Sequence, residues 1–286
     1  MTIDDGQPGI DPAKQWYLFV LFGVISGFSS ALLGIGGGVV LMPLLLLVVM
    51  LEPSHARGTA LGYMVLTCLV GALTFKYGDG VDLSVRVILL LSAGGVVGAV
   101  VGAKVGQRIN PLWVKRAFAG VMVIAAVKMV WGTFGTSAGG AMRTSVDLGA
   151  EWYQLILFGL VSGFSSAMLG IGGGVVLMPL LMLVAMLEPS YARGSALGYM
   201  VLTCLIGSLT YHRTRGVHLS LRMIALLTVG GMAGAVPGAV VGHHIDRMWV
   251  KRLFAMLMVW AAYKMFRTTL KKRKALTADD VEAEVV

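Results

Sequence analysis

The chain has 286 residues, of which 57% are hydrophobic and only 13% are charged, and its formal net charge at pH 7 is +9. This composition excludes an ordinary soluble domain and is typical of a multi-pass membrane protein. The positive charge does not indicate a nucleic-acid partner, because Lys and Arg lie at the ends of apolar segments and in a C-terminal cluster. We therefore expect that most of the chain lies in the lipid bilayer and that the protein binds no nucleic acid.

The first 15 residues are a polar tail that carries Asp4, Asp5 and Asp11. They contain neither a basic region nor a small-residue cleavage site, so we expect no removable signal peptide. The two cysteines, Cys68 and Cys204, lie inside apolar segments, and this placement predicts neither a disulfide framework nor a metal site. We expect no cofactor.

An internal duplication organises the rest of the chain. Shifting the sequence by 136 residues aligns its two halves without a gap, and 42 of the 49 residues in 26–74 are identical to those in 162–210. We assign repeat 1 to 16–134, a linker to 135–151 and repeat 2 to 152–270, followed by a basic and then acidic tail over 271–286.

Each copy contains five apolar segments, which predict an all-α protein. They are 16–33, 38–51, 57–75, 84–105 and 113–133 in the first copy, and 152–169, 174–187, 193–211, 220–241 and 249–267 in the second. The last three segments of each copy are long enough to cross about 30 Å of hydrocarbon at about 1.5 Å per residue. The first two are shorter than a comfortable span, and we predict that they form a hairpin of short helices meeting near mid-membrane.

A glycine-rich break separates the two helices of this hairpin. It runs from Ser26 to Gly38, before Pro43, and returns from Ser162 to Gly174, before Pro179. Glycine inside a helix costs about 1 kcal/mol relative to alanine, so this density of glycine predicts an interruption. Non-helical backbone at that depth is tolerated only where protein covers it or where it lines an aqueous cavity, and the start of the next helix would attract an anion. The alternative is that the glycines only allow close helix packing.

Whether the hairpin crosses the membrane twice or dips in and returns, we expect the chain to leave it on the side where it began, so each copy crosses an odd number of times. This predicts that the second copy is inverted relative to the first, as in many secondary transporters. The side that holds both termini collects 15 of the 23 Lys and Arg residues, and the positive-inside rule then places both termini in the cytoplasm. The predicted fold is a polytopic all-α membrane protein with two inverted-topology repeats of five helical segments each and glycine-broken helical hairpins.

The paired motif reads Ser-Gly-Phe-Ser-Ser-Ala-x-Leu-Gly-Ile-Gly-Gly-Gly-x-x-x-x-Pro and is followed by Ala-Arg-Gly-Thr/Ser-Ala at 56–60 and 192–196. It resembles the TauE/SafE family, also called the 4-toluene sulfonate uptake permease family, over 16–270. The resemblance implies a bacterial-type, multi-pass inner-membrane protein that moves sulfite, sulfoacetate or another organosulfonate, often as an exporter. The substrate, the direction, the coupling ion and the formation of a homodimer stay open.

The candidate substrate-binding residues occur in equivalent pairs. Serine hydroxyls and helix-start N–H groups suit an oxyanion, although the serines can instead bond back to their own helix carbonyls. Arginine at the start of the third helix matches sulfonate geometry, or else extends its charge to the membrane interface. A mid-helix Thr-Cys pair contacts substrate or only packs. The set is Ser29, Ser30, Gly34, Gly36, Gly37, Gly38, Arg57, Thr67 and Cys68, with Ser165, Ser166, Gly170, Gly172, Gly173, Gly174, Arg193, Thr203 and Cys204.

The leading functional prediction is a secondary carrier that holds a small anionic substrate between two half-helix N-termini and exposes it alternately to either side. A passive anion channel shares every one of these features. An intramembrane serine hydrolase is the remote alternative, since all five histidines lie at segment ends or in loops and a serine without a positioned base is not an activated nucleophile. We therefore predict that the protein is not an enzyme.

Overall fold

The computed structural model describes residues 15–78, 83–108, 151–213 and 220–244. These ranges contain eight α-helices, two short π-helical segments and no β-strand. The elements are α1 Trp16–Leu33, α2 Gly38–Leu47, α3 Pro53–Leu73 with a π-helical continuation Thr74–Gly78, α4 Val85–Arg108, α5 Trp152–Leu169, α6 Gly174–Pro179 with a π-helical continuation Leu180–Val184, α7 Pro189–His212 and α8 Leu221–His244. The fifth predicted segment of each copy, most of the linker and both tails lie outside the described residues.

Six helical stretches within the described ranges are long and apolar enough to cross a membrane. They are Trp16–Leu33, Ser54–Gly78, Val85–Val105, Trp152–Leu169, Pro189–His212 and Leu221–Gly242. The all-α, polytopic fold predicted from the sequence is confirmed. The first segments, predicted at 16–33 and 152–169 and below a comfortable span, form α1 and α5, which each run for 18 residues without interruption before the glycines. Only the second segments are short, since α2 has 10 residues and α6 has 6.

Helices α3 and α7 are the equivalent third segments of the two copies, and they pack against each other in opposite directions. The Ser208 hydroxyl near the end of α7 donates to the Gly58 carbonyl near the start of α3, at 3.2 Å. Closer to the middle of both helices, Cys204 Sγ lies 3.9 Å from Met64 Sδ. A β-carbon added to Gly71, near the end of α3, would lie 3.1 Å from Leu197 Cδ1 in the first half of α7. The centre of this antiparallel pair is therefore the contact between Met64 and Cys204.

The outer helices pack in parallel pairs, and each pair joins the two copies. Helix α1 of the first copy lies against α8 of the second, with the backbone of Gly27 in contact with that of Gly231. Helix α5 lies against α4 in the same way, with Gly163 in contact with Gly95. Small residues spaced by four allow membrane helices to approach this closely. The helices of the two copies are thus interleaved rather than packed as two separate halves.

Contacts between Cα atoms divide the chain into two compact units. One comprises Met1–Gln107 with Met142–Asp246, and the other comprises Arg108–Ala141 with Arg247–Val286. The described residues belong to the first unit, apart from Arg108. Each unit draws on both copies of the duplication.

Exposed aromatic side chains mark the beginnings of α1 and α5. Trp16 and Tyr17 start α1, Trp152 and Tyr153 start α5, and each of the four side chains is more than half exposed. Within each pair the rings meet edge to face, with centroids 6.5 Å and 6.2 Å apart. Tryptophan and tyrosine at the ends of apolar helices are typical of the membrane–water interface.

Candidate functional site

Two glycine loops, 34–38 and 170–174, interrupt the helices at equivalent positions. Gly34 ends α1 by donating its N–H to the Ser30 carbonyl at 2.8 Å, and Gly37 precedes the first residue of α2. Both have φ of +70°, and Gly36 between them has φ of +84°; the second loop repeats this pattern with +69°, +64° and +90°. Residues with a side chain rarely adopt these angles, so the reversal after α1 and α5 requires glycine. The predicted interruption of the hairpin is present in both copies.

A chain of hydroxyl groups holds each loop against the third helix of the same copy. Tyr63 on α3 donates to Ser26 Oγ at 3.1 Å, and Ser26 donates to the Gly37 carbonyl at 2.8 Å. Tyr199 and Ser162 make the same two bonds to Gly173 in the second copy. Both tyrosines and both of these serines are fully buried. The sequence interpretation included neither serine among the site residues, because identity between the copies covers so many positions that it does not single them out.

We expect Ser26→Ala to destabilise the protein by about 1–3 kcal/mol, since it removes the donor to the Gly37 carbonyl and the acceptor for the buried Tyr63 hydroxyl. The matched control is Ser29→Ala, because Ser29 is more exposed and bonds only to Ile25 in its own helix, at 2.9 Å. Thermal unfolding of the purified protein in detergent measures both variants. Equal midpoints for the two would contradict the holding role of Ser26.

The loops leave hydrogen-bond donors without partners. Among the described residues, no partner is found for the N–H groups of Gly37 and Val39 at the start of α2 or for those of Gly173 and Val175 at the start of α6. The first turn of any helix has such free donors. Here, however, they lie inside the protein, since Val39 and Val175 are no more than 5% exposed.

Two serine hydroxyls next to the loops are also unsatisfied. Ser30 and Ser166 are each 1% exposed, and their Oγ atoms have no hydrogen-bond partner among the described residues. The Ser166 β-carbon lies 3.2 Å from the place where a side chain on Gly173 would begin, so this serine is directly beside the second loop. Ser30 is next to Cys68, and Ser166 is next to Cys204. Each copy therefore brings a free hydroxyl and a buried thiol to its glycine loop.

The two loops meet each other. A β-carbon on Gly36 would lie 3.3 Å from the Gly172 carbonyl oxygen, and one on Gly174 would lie 2.7 Å from the Gly34 carbonyl oxygen. One on Gly38 would lie 2.6 Å from the Ile171 carbonyl oxygen. The loops of the two copies thus form one junction beside the middle of α3 and α7.

The other polar candidates bond back to their own helices. Ser165 donates to the Val161 carbonyl at 2.6 Å. Thr67 donates to the Tyr63 carbonyl at 3.0 Å, and Thr203 donates to the Tyr199 carbonyl at 3.1 Å. The structure therefore brings Ser30, Ser166, Cys68 and Cys204 close to the loops, with the Cys204 thiol against Met64 Sδ. The hydroxyls of Ser29, Ser165, Thr67 and Thr203 are already hydrogen-bonded to their own helices.

The two candidate arginines lie at opposite ends of the α3–α7 pair and do not converge on one site. Arg193 packs against Gly34, and Arg57 packs against Gly170. Arg193 is 2% exposed and donates to the carbonyls of Leu32 and Gly242, near the ends of α1 and α8, at 3.0 Å and 2.9 Å. Cations are favoured at helix C-termini because the helix dipole is negative there. Arg57 is only partly buried and lies beside Tyr211.

Comparison with known proteins identifies similar sequences over most of the chain. The family model described as "Sulfite exporter TauE/SafE" matches residues 5–140 and 155–284. The "Probable membrane transporter protein YunE" of Bacillus subtilis is 24% identical, with 86% of this chain and 95% of that protein covered. A "Probable membrane transporter protein" of Xylella fastidiosa is 27% identical, with 86% and 93% covered. No solved structure matches the chain.

Proposed function

Because this chain belongs to the TauE/SafE sulfite exporter family, we propose that it is a secondary transporter that exports a small sulfur-containing anion such as sulfite, sulfoacetate or another organosulfonate. Two relatives of similar length are described as probable membrane transporters, and six candidate spans agree with a multi-pass membrane protein. The proposal adds the substrate class, the direction of transport and the binding residues to the conclusion that the protein is a multi-pass membrane transporter.

The observation that carries the proposal is the pair of buried, unpartnered hydroxyls of Ser30 and Ser166 beside the free N–H groups of the glycine loops. Leaving a buried polar group unpaired costs about 1–3 kcal/mol, and native proteins rarely keep such groups without a ligand, water or ion to meet them. The unpaired N–H groups can only donate, and the two hydroxyls can donate as well as accept. The ligand that satisfies them all at once is an acceptor, and a sulfonate or sulfite has several acceptor oxygens.

The charges around the junction favour an anion over a cation or a neutral solute. None of the eight described helices contains Asp or Glu. The loops lie at the start of α2 and of α6, where the peptide dipoles present their positive ends. Proton-coupled transporters usually relay protons through carboxylates within the membrane, so the lack of Asp and Glu in these helices argues weakly against proton relay through them.

The packing of the two copies suggests how access would alternate. We place the copies in inverted orientation in a bacterial-type inner membrane, with both termini cytoplasmic, and the anion at the junction of the two loops. Movement of α3 relative to α7 would part the loops first toward one side and then toward the other. The antiparallel contact between these equivalent helices provides the symmetry that such an exchange needs.

The test is a thermal-shift titration of purified protein with sulfite, sulfoacetate, taurine, sulfate and chloride. A ligand that binds the folded state raises the unfolding midpoint by mass action. We expect a shift with one sulfur anion in the wild type, and a loss of affinity of at least about hundredfold in Ser30→Ala plus Ser166→Ala, since each hydrogen bond to a charged group contributes about 1.5–3 kcal/mol and this variant removes two. Without ligand, this double variant should be as stable as the wild type or more stable.

The matched control is Ser29→Ala plus Ser165→Ala, in which the same chemical change is made one residue earlier, at hydroxyls that already bond to their helices. It should bind like the wild type. Glycine substitutions are less selective, because a side chain on Gly37 would lie 2.7 Å from Ser26 Oγ in a backbone conformation with φ of +70°. Equal affinities of the two double-serine variants for the anion, or no binding by the wild type or either variant, would contradict the proposed site. In proteoliposomes, saturable anion exchange supports a carrier, whereas a steady current supports the channel.

A further inference from the structure

Four sulfur atoms gather where the two glycine loops meet. A β-carbon added to Gly172, the central glycine of the second loop, would lie 2.5 Å from Met64 Sδ of the first copy. One added to Gly36, the central glycine of the first loop, would lie 2.5 Å from Met200 Sδ of the second copy. Cys204 Sγ lies 3.9 Å from Met64 Sδ. Cys68 lies one helical turn after Met64 on the same helix and is close to Cys204. All four side chains are 0% exposed.

From these contacts we propose that Met64, Cys68, Met200 and Cys204 form a binding site for one soft monovalent metal cation of the Cu(I) or Ag(I) type. Thiol and thioether sulfur are the ligands that such cations select. Hard cations such as Mg²⁺ and Ca²⁺ prefer oxygen ligands, and none of the four residues supplies one. Among the described residues, no three His, Cys, Asp or Glu side chains lie close enough together to share a metal ion, and half of this cluster is methionine.

The spacing of the sulfurs suits a shared ion. Metal–sulfur bonds are about 2.3 Å long for zinc, and two sulfurs on one such ion with trigonal or tetrahedral angles lie roughly 3.8–4.0 Å apart. Cys204 Sγ and Met64 Sδ are in direct contact at 3.9 Å, so small shifts of these side chains would bring both sulfurs onto one ion. Methionine side chains are flexible, so the thioethers can adjust to an ion more easily than the helices can.

With a monovalent ion bound, the site can be electrically neutral. When the metal binds, one thiol releases its proton to the solvent and becomes a thiolate, which neutralises the single positive charge. The second thiol and the two thioethers stay neutral and complete the coordination. A neutral site is far less costly in the low-dielectric interior than a charged one would be. Because Met64 and Cys68 lie on α3, and Met200 and Cys204 lie on α7, the bound ion would link the two copies at their junction.

The experiment uses Ag(I), which needs no reductant, with full-length protein in chloride-free detergent buffer. Silver retained after gel filtration is measured by mass spectrometry, and the unfolding midpoint is measured alongside it. We expect about one silver per chain and a raised midpoint in the wild type. Met64→Leu plus Met200→Leu should weaken binding at least tenfold, and Cys68→Ala plus Cys204→Ala should abolish it. The control Met223→Leu changes a buried methionine on α8, away from the cluster, and should bind like the wild type.

Several outcomes overturn the proposal. They are no retained silver in the wild type, silver retained by the double-cysteine variant, or equal affinity in the Met64/Met200 variant and the Met223 control, which would mean that the thiols act alone. Leucine has nearly the volume of methionine, so the methionine variants should fold, and their midpoint without silver verifies this. The proposal does not depend on the proposed anion: the protein can fail to bind every sulfur oxyanion and still retain silver at these four residues.

Discussion

Gly27→Ala should be among the most destabilising single-methyl additions in the protein, at about 3 kcal/mol or more. The added carbon would collide with the Gly231 carbonyl oxygen and lie 2.7 Å from Gly231 Cα. These are backbone atoms of α8, which cannot rotate away, so α1 and α8 would have to separate along their length. Overpacking of this kind costs about 1–3 kcal/mol even where side chains can adjust. Thermal unfolding in detergent, together with the yield of monodisperse protein, measures the effect.

The same substitution at Gly71 in α3 is the matched control. There the nearest atom is Leu197 Cδ1 at 3.1 Å, the end of a flexible side chain, and the next is Ala31 Cβ at 3.7 Å. Alanine is a better helix former than glycine by about 1 kcal/mol, so Gly71→Ala should be neutral or slightly stabilising. A Gly27→Ala protein as stable as the Gly71→Ala protein would show that the α1–α8 contact is looser than the structure places it.

These glycines show how far the sequence predicts the fold. The duplication, the apolar segments and the interruption of each hairpin all follow from the sequence, because glycine at Gly34, Gly36 and Gly37 is clustered and turns the chain. Glycines such as Gly27 and Gly95 serve a different purpose, which is close contact with a neighbouring helix. Composition does not separate the two purposes, since both depend on a missing side chain and only the partner helix tells them apart.

The apolar segment predicted at 16–33 coincides with α1, but the break predicted to begin at Ser26 begins only after Leu33. Ser26, Gly27, Ser29 and Ser30 weaken the helical tendency of its second half, yet the helix continues to Leu33. Packing against α8 supplies the stability that the local sequence lacks, and helices in proteins generally depend on such packing more than on propensity.

Within the candidate site, sequence reasoning selected the segment but could not rank its neighbouring residues. Ser29 and Ser30 are adjacent and chemically identical, and the structure separates them because one hydroxyl reaches the Ile25 carbonyl whereas the other faces the interior beside Cys68. Which face of α1 is interior depends on where α3 and α8 lie. The same holds for Met64, which the sequence does not single out and which meets the opposite loop only in the folded chain.

The second large effect is expected for Arg193→Ala, at about 3 kcal/mol or more. The guanidinium donates to the carbonyls of Leu32, Gly242 and Pro189 and to the Ser190 hydroxyl, and it lies 5.4 Å from the centre of the Phe75 ring. Hydrogen bonds from a charged group contribute about 1.5–3 kcal/mol each, and truncation would also leave a cavity among α1, α7 and α8. Arg193→Lys should recover little of the loss, because an ammonium cannot reproduce the planar fork that reaches several carbonyls at once.

The duplication provides the control in the same chain. Arg57 is the equivalent residue, but it is only partly buried and has Tyr211 in the position where Arg193 has Phe75. Arg57→Ala should therefore lower the free energy of unfolding by about 1 kcal/mol or less, in keeping with a partly exposed charge. Equal losses from Arg57→Ala and Arg193→Ala in thermal unfolding would mean that the two copies are energetically equivalent despite these contacts. A larger loss from Arg193→Ala would mean that Arg193 stabilises the packing of the ends of α1 and α8. The Arg57→Ala protein would then stay folded, so the predicted role of Arg57 in anion binding could be tested with it.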